Sequence, residues 1–141
     1  MIEPIVPPQG TLHEILHRPA AAAAPPTRTD LLYGISTVGE AGRVTDRSLF
    51  AALGWAPGTR LSLRVTERRL LVANPVAGGP VTMHDGFMRI PFRLRRRAGL
   101  TIGDRVLLLA DPNAASLAVH APGAVADLFA STLRALEEAS R

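Results

Sequence analysis

The chain has 141 residues, is 47% hydrophobic but only 4% aromatic, contains no cysteine, and has a net charge of +4. This length predicts one domain with tails, and the absence of cysteine excludes disulfides and thiolate metal sites. No apolar run approaches the roughly 18 residues of a membrane span, and the N-terminus does not resemble a secretory signal. We therefore expect a cytoplasmic protein whose core consists of Val, Leu, Ile and Ala.

The positive charge is unevenly distributed along the chain. All sixteen basic residues are arginines, which is typical of a GC-rich coding sequence. Residues 31–121 contain twelve arginines against six acidic residues, hence +6, whereas the two tails contain four against six, hence −2. Positive charge concentrated on the folded part predicts a polyanionic partner.

The N-terminal segment, residues 1–30, is rich in Pro and Ala and predicts a flexible arm with one short helical turn at Thr11–Leu16. It contains HEILH at His13–His17, which matches the HExxH pattern of zinc proteases. Arg18-Pro19 would end any helix at once and no third ligand is placed, so we do not predict a metal site. No Gly-rich phosphate loop, carboxylate pair or nucleophile triad appears, and we expect neither enzymatic activity nor a cofactor.

Residues 31–122 contain two copies of one short unit, copy one at 34–76 and copy two at 80–121. The aligned pairs, after a one-residue deletion in copy one, are Gly42/Gly86, Leu49/Leu94, Gly54/Gly99, Trp55/Leu100, Gly58/Gly103 and Leu61/Val106. Internal repeats decide architecture. A single unit of this size cannot bury its apolar faces, so the repeat predicts that the two copies interleave their strands into one pseudo-two-fold barrel.

Each copy predicts a strand, a turn ending in glycine, a second strand, a helix of two turns or fewer, and a hairpin. The first strands are Ile35–Val38 and Val81–Met83; the hairpins are Leu61–Val65 with Leu70–Ala73, and Val106–Ala110 with Ser116–His120. In the second strand of copy two, alternation directs Met88 and Ile90 inward and Phe87 and Arg89 outward. The helix ends are predicted from Ser48 as an N-cap, Pro91 as a first helical residue, and Gly54 and Gly99 as left-handed C-caps.

The C-terminal segment, residues 123–141, predicts one amphipathic helix of about 16 residues. Its apolar residues at helical spacing are Val125, Leu128, Phe129, Leu133 and Leu136. We favour packing of this face against the core or against a second copy in a homodimer or higher oligomer. The alternative is docking in the groove of a protein partner.

Copy two contains Gly86, then Ile90-Pro91, Leu94-Arg95, Gly99-Leu100 and Gly103-Asp104. This spacing resembles the swapped-hairpin signature of the AbrB/MazE/SpoVT superfamily. Copy one is degenerate, since it keeps the glycines but lacks Ile-Pro. Most members have one copy and dimerise, whereas MraZ-like proteins have two in one chain, and this chain is similar to that tandem form without its intervening helices. The resemblance implies a mainly β fold with short helices, in which two tandem swapped-hairpin units form one pseudo-two-fold β-barrel followed by a C-terminal helix.

The resemblance also implies binding of double-stranded DNA, in transcriptional regulation or as the DNA-binding half of an antitoxin. It places the contacts on the outward residues of the second strand and on the short helix: Arg89, Arg93 and Arg95 in copy two, with Arg43 and Arg47 in copy one. Independently, Arg93, Arg96 and Arg97 share one helix face by their spacing, and guanidinium groups pair with phosphate oxygens. The alternative for this face is a solvated basic surface paired with Asp85 and Asp104.

The two copies differ in charge, because the helix of copy one, Ser48–Leu53, contains no arginine. We therefore expect copy two to dominate DNA binding in a nucleoid-associated regulator. Two other functions stay open. One is an antitoxin or adaptor whose C-terminal helix binds a toxin-like protein, and the other is a barrel that has lost DNA binding.

Overall fold

The computed structural model describes residues 30–141. The strands are β1 Leu32–Thr37, β2 Arg43–Thr45, β3 Arg60–Val65, β4 Leu71–Pro75, β5 Val81–Thr82, β6 Phe87–Arg89, β7 Arg105–Asp111 and β8 Ser116–His120. The helices are α1 Arg47–Leu53, α2 Phe92–Ala98, α3 Pro122–Leu128 and α4 Ala130–Ala139, and a 3₁₀ turn spans Glu40–Gly42. These residues are 33% strand and 30% helix. With a large sheet and helices that are short or terminal, the fold is mainly β, as predicted.

Six strands form one antiparallel sheet in the order β1-β7-β8-β4-β3-β5, and β2 and β6 form a separate two-stranded ribbon. The first strand of each copy pairs with the hairpin of the other, with Ile35 opposite Leu107 and Leu61 opposite Val81. The strands of the two copies therefore interleave, as predicted. The sheet is not closed into a barrel, since β1 and β5 form its two edges, and the predicted closure is not confirmed.

Matched backbone hydrogen bonds relate the two copies. The Ile90 amide donates to the Gly42 carbonyl at 2.9 Å, and the Asp46 amide donates to the Gly86 carbonyl at 3.1 Å. A second pair joins the first strands to the opposite hairpins: Val38 N to Asp104 O and Met83 N to Thr59 O, both at 2.8 Å. Each of these hydrogen bonds is thus made twice, with the roles of the two copies exchanged.

The core lies between the sheet, the ribbon and the two short helices. Met88 and Ile90 are fully buried while Phe87 and Arg89 are half-buried, which confirms the predicted alternation. Trp55 is buried as a core filler and stacks on Phe50, with ring centroids 5.9 Å apart. The other fully buried large side chains are Leu61, Leu71, Met83, Leu108, Leu117, Val38, Val44, Val106 and Val119.

The helix ends differ from prediction by one or two residues. Asp46, not Ser48, is the N-cap of α1, because its Oδ1 accepts a hydrogen bond from the Leu49 amide at 3.0 Å. Aspartate and serine are comparably good N-caps. The start of α1 is therefore determined by which side chain accepts the hydrogen bond from the Leu49 amide, and that side chain is Asp46. Pro91 precedes α2 as its N-cap and is not its first residue. Gly54 and Gly99 have φ of 76° and 74°, which confirms both left-handed C-caps.

The C-terminal segment forms two helices where one was predicted. Phe129 lies between α3 and α4 with φ −105° and ψ 24°, outside helical geometry. α3 contacts β7 and β8, whereas every residue of α4 is exposed. No helix of residues 30–141 is long and apolar enough to cross a membrane. The predicted arm, its helical turn and the HEILH motif lie outside the described residues.

Candidate nucleic-acid interface

The β2–β6 ribbon directs two arginines to one face. Its register places Arg43 opposite Arg89 and Val44 opposite Met88. The Val44 and Met88 side chains are fully buried. Because successive residues of a strand face opposite sides, Arg43 and Arg89 lie on the outer face of the ribbon. Like charges directly opposite each other destabilise an antiparallel pair. The ribbon therefore places two guanidinium groups together at an energetic cost.

Phe87 offsets part of this cost. Its ring centroid lies 4.9 Å from Cζ of Arg43 and 5.1 Å from Cζ of Arg89, and His84 stacks on the ring at 4.8 Å. Such cation–π contacts contribute about 0.5–1 kcal/mol each at exposed sites. Neither arginine forms an ion pair with any carboxylate in the part of the chain that the structure describes. Within the same range, the buried Nε of Arg89 has no hydrogen-bond partner. The ribbon thus holds two un-neutralised cations in fixed positions.

The α2 helix presents a second group of arginines. Arg93, Arg96 and Arg97 are exposed and line one surface depression, as their spacing predicts. None of them forms an ion pair among residues 30–141. The predicted alternative partners are engaged elsewhere. Asp85 pairs with Arg47 of α1, and Asp104 accepts a hydrogen bond from the Thr101 amide at 2.8 Å.

The arginines of α2 are compatible with a stable helix without a ligand. Arg93 repels Arg96 and Arg97 at helical spacing, at a cost of roughly 0.2–0.5 kcal/mol for each pair. Arg95, Arg96 and Arg97 lie in the last turn, where each cation is stabilised by about 0.3–1 kcal/mol through the helix dipole. Summed over three arginines, the stabilisation by the helix dipole exceeds the repulsion summed over the two pairs. The basic face is therefore preformed, and any polyanion meets it already in place.

Arg95 differs from its neighbours because it is half-buried. A Cβ atom added to Gly42 would lie 2.8 Å from Nη1 of Arg95, and Cζ of Arg95 lies 5.5 Å from the Phe92 ring centroid. The buried Nη1 has no hydrogen-bond partner within the described chain. The side chain thus packs between α2 of copy two and the 3₁₀ turn of copy one. Arg95 was predicted from the sequence as a DNA contact, and no pattern in the sequence indicated this packing role.

Arg47 is the predicted site residue that forms an ion pair. Its Nη1 lies 3.0 Å from Oδ1 of Asp85, and both side chains are more than two-thirds exposed. Exposed pairs contribute about 0–1 kcal/mol, so a phosphate group can compete for this arginine. Arg47 also packs on the second copy, since a Cβ atom at Gly86 would lie 2.6 Å from its Cγ.

The structure adds a basic element that the sequence did not single out. The turn between β3 and β4 contains Arg68 and Arg69, and Nε of Arg69 donates to the Arg97 carbonyl at 3.3 Å. A comparison of the two copies could have found it, because the equivalent turn at Asp111–Ser116 contains no arginine. His, Asp and Glu side chains between residues 30 and 141 form no group of three that could hold a metal ion.

Comparison of the chain with protein-family models, with curated proteins and with solved structures yields no match.

Proposed function

We propose that the protein binds double-stranded DNA and acts as a transcriptional regulator. Its contacts come from the arginine surface, defined here as the following residues of the ribbon and the two short helices: Arg43, Arg47, Arg89, Arg93, Arg95, Arg96 and Arg97. One observation supports this most directly. Apart from Arg47, none of the seven has an ion-pair partner among the described residues.

The chemistry of these side chains favours phosphate as the missing partner. Guanidinium groups bind phosphate oxygens through two parallel hydrogen bonds, and most protein–DNA hydrogen bonds go to the backbone. The nearby acids have local structural duties, since Asp46 caps α1 and Asp104 closes a turn. They are therefore not placed to neutralise the surface, which leaves its arginines available to an external polyanion.

The fold supports a swapped-hairpin assignment in one respect and not in another. The first strands, β1 and β5, pair with the hairpin of the opposite copy, which is what a tandem AbrB-like chain requires. The open sheet does not match a closed barrel. The assignment to that superfamily is accordingly part of the proposal.

Binding to duplex DNA fragments across a salt series tests the function. If five of these arginines contact phosphates, the logarithm of the association constant falls with the logarithm of salt concentration with a slope of roughly −4 to −5. Fluorescence anisotropy gives this slope, and light scattering gives the stoichiometry. No salt-dependent binding below about 10 µM contradicts the proposal and favours a domain that has lost DNA binding.

A second candidate function rests on the C-terminal helices. Four apolar side chains are exposed there, namely Leu128 at 52%, Phe129 at 43%, Leu133 at 47% and Leu136 at 59%. A stripe of this kind fits the groove of a protein partner, as in an antitoxin or adaptor. Val125 is half-buried on α3 and belongs to the side that contacts the sheet.

Removal of residues 130–141 separates this candidate from a structural role. Because every residue of α4 is exposed, we expect the truncated chain to lose less than about 1 kcal/mol of unfolding free energy. Urea denaturation measures this, and light scattering shows whether the mass changes. A loss of several kcal/mol, or the fall of a dimer to a monomer, would mean that α4 is part of the folded core or of a homodimer interface.

A further inference from the structure

The turn between β3 and β4 contains two adjacent exposed arginines that lie outside the arginine surface. We call Arg68–Arg69 the dibasic turn. Two backbone hydrogen bonds of 2.8 Å close it, from the Thr66 amide to the Leu70 carbonyl and from the Arg69 amide to the Thr66 carbonyl. Both arginines are exposed, and neither has an ion-pair partner in residues 30–141.

The interleaved fold brings this turn of copy one to α2 of copy two. Nε of Arg69 lies 3.3 Å from the Arg97 carbonyl oxygen, at the end of that helix. Nη2 of Arg69 lies 3.7 Å from the position that a Cβ atom of Gly99 would occupy. The dibasic turn therefore extends the row of positive charge past the C-terminal end of α2.

The conformation of Arg69 shows that the fold itself does not call for an arginine. Its φ is +67°, in the left-handed region that disfavours side chains by about 1–2 kcal/mol. The equivalent position in copy two, Ala115, has φ +50°. The turn geometry thus requires this conformation in both copies, and glycine would adopt it without strain. Copy one instead has an arginine there, which has no ion-pair partner among the described residues.

Local contacts account for little of this arrangement. The exposed hydrogen bond from Arg69 to the Arg97 carbonyl contributes about 0.5–1.5 kcal/mol, comparable to the backbone strain. Arg68 makes no such bond within residues 30–141. Asp127 of α3 lines the same depression as the two arginines, yet within the described chain it is ion-paired with neither. Two more cations beside the C-terminal end of α2 raise its positive potential, and the helix dipole returns only about 0.3–1 kcal/mol for each.

We propose that the dibasic turn is a further contact to the phosphate backbone of duplex DNA. The inference rests on the proposed function and deepens it. The equivalent turn of copy two, Asp111–Ser116, contains no arginine. The turn of copy one can therefore contact phosphates through arginine, whereas the turn of copy two cannot. The surface that contacts DNA is therefore unequal between the two copies. It is centred on α2, with the β2–β6 ribbon on the N-terminal side of this helix and the dibasic turn at its C-terminal end.

The test compares Arg68→Gln/Arg69→Gly with Ala115→Gly in the full chain, using the same DNA duplex. Glycine at residue 69 relieves strain, so the double variant should unfold at an unchanged or higher urea midpoint. Its affinity should fall roughly tenfold and its salt slope should shrink by about 2, since each phosphate contact contributes about 0.9. Ala115→Gly makes the same backbone change on the other side and should leave affinity and slope unaltered.

Arg68→Gln alone provides a variant that leaves the turn conformation untouched, and it should reduce the slope by about 1. If the unmodified protein binds with the expected salt dependence and these variants do too, the dibasic turn is not a contact and only the inference fails. If the unmodified protein shows no salt-dependent binding, the proposed function fails and the inference falls with it. An equal loss of affinity in Ala115→Gly would also overturn the inference.

Discussion

Replacement of Arg93, Arg96 and Arg97 together by glutamine will weaken binding to duplex DNA by about 100-fold near physiological salt. This loss corresponds to about 1 kcal/mol for each exposed phosphate contact, the net contribution of an ordinary hydrogen bond, and about 1.4 kcal/mol for each tenfold change. The salt slope should shrink by nearly 3. Glutamine has a helix propensity close to that of arginine, so α2 should persist. Anisotropy titrations at several salt concentrations measure both effects.

The matched control removes three positive charges elsewhere. Arg105, Arg134 and Arg141 are exposed and lie outside both the arginine surface and the dibasic turn, so their triple glutamine variant has the same net charge. It should reduce affinity by a few-fold at most through the general field of the protein. Equal losses in the two triple variants would show that net charge, and not the face of α2, determines binding.

Substitution of Gly42 by alanine will be among the most damaging single changes to the fold, with an expected loss of more than about 3 kcal/mol of unfolding free energy. Gly42 has φ +81°, and a Cβ atom there would overlap the carbonyl oxygen of Ile90 and lie 2.8 Å from Nη1 of Arg95. The Ile90 backbone cannot retreat easily, because its amide donates to the Gly42 carbonyl. Urea denaturation monitored by circular dichroism provides the measurement.

Two other glycines serve as graded controls for this substitution. Gly58 has φ +93°, and no other part of the described chain comes within 4 Å of the position that a Cβ atom would occupy there. Alanine at residue 58 should therefore cost only the conformational strain of about 1–2 kcal/mol. At Gly86 the new atom would meet Cγ of Arg47, a flexible side chain that can move, and an intermediate loss is expected. Equal losses of unfolding free energy in Gly58→Ala and Gly42→Ala would show that the backbones of Gly42 and Ile90 do not approach each other as closely as described.

The local elements were largely predictable from the sequence, since short-range rules determine them. The repeat predicted the same succession of strand, turn, helix and hairpin twice over. Alternation correctly assigned Met88 and Ile90 to the core, because successive residues of a strand face opposite sides. Gly54 and Gly99 were recognisable as C-caps because few other residues accept a left-handed conformation. Helical spacing placed Arg93, Arg96 and Arg97 on one face.

Other local features were not predictable, because competing choices were nearly equal in energy. Asp46 and Ser48 are both good caps, and only the geometry of the chain entering α1 selects the aspartate. The C-terminal apolar spacing continues through Phe129 without a proline or glycine, so no residue marked the boundary between α3 and α4. The closed barrel was predicted from the repeat and from the resemblance, whereas the hydrogen-bonded order of the strands leaves β1 and β5 as edges.

By itself, then, the sequence determined the two-copy organisation and the concentration of arginine in residues 31–121, because composition and periodicity are properties of the chain. Only the tertiary structure decided which charges meet. It placed Arg43 and Arg89 on either side of Phe87, turned Arg95 toward Gly42, and brought Arg69 of copy one to Arg97 of copy two. The contacts between the two copies join residues that are far apart in the chain. They depend on strand register and on the pairing of each first strand with a hairpin of the other copy, which no local pattern in the chain records.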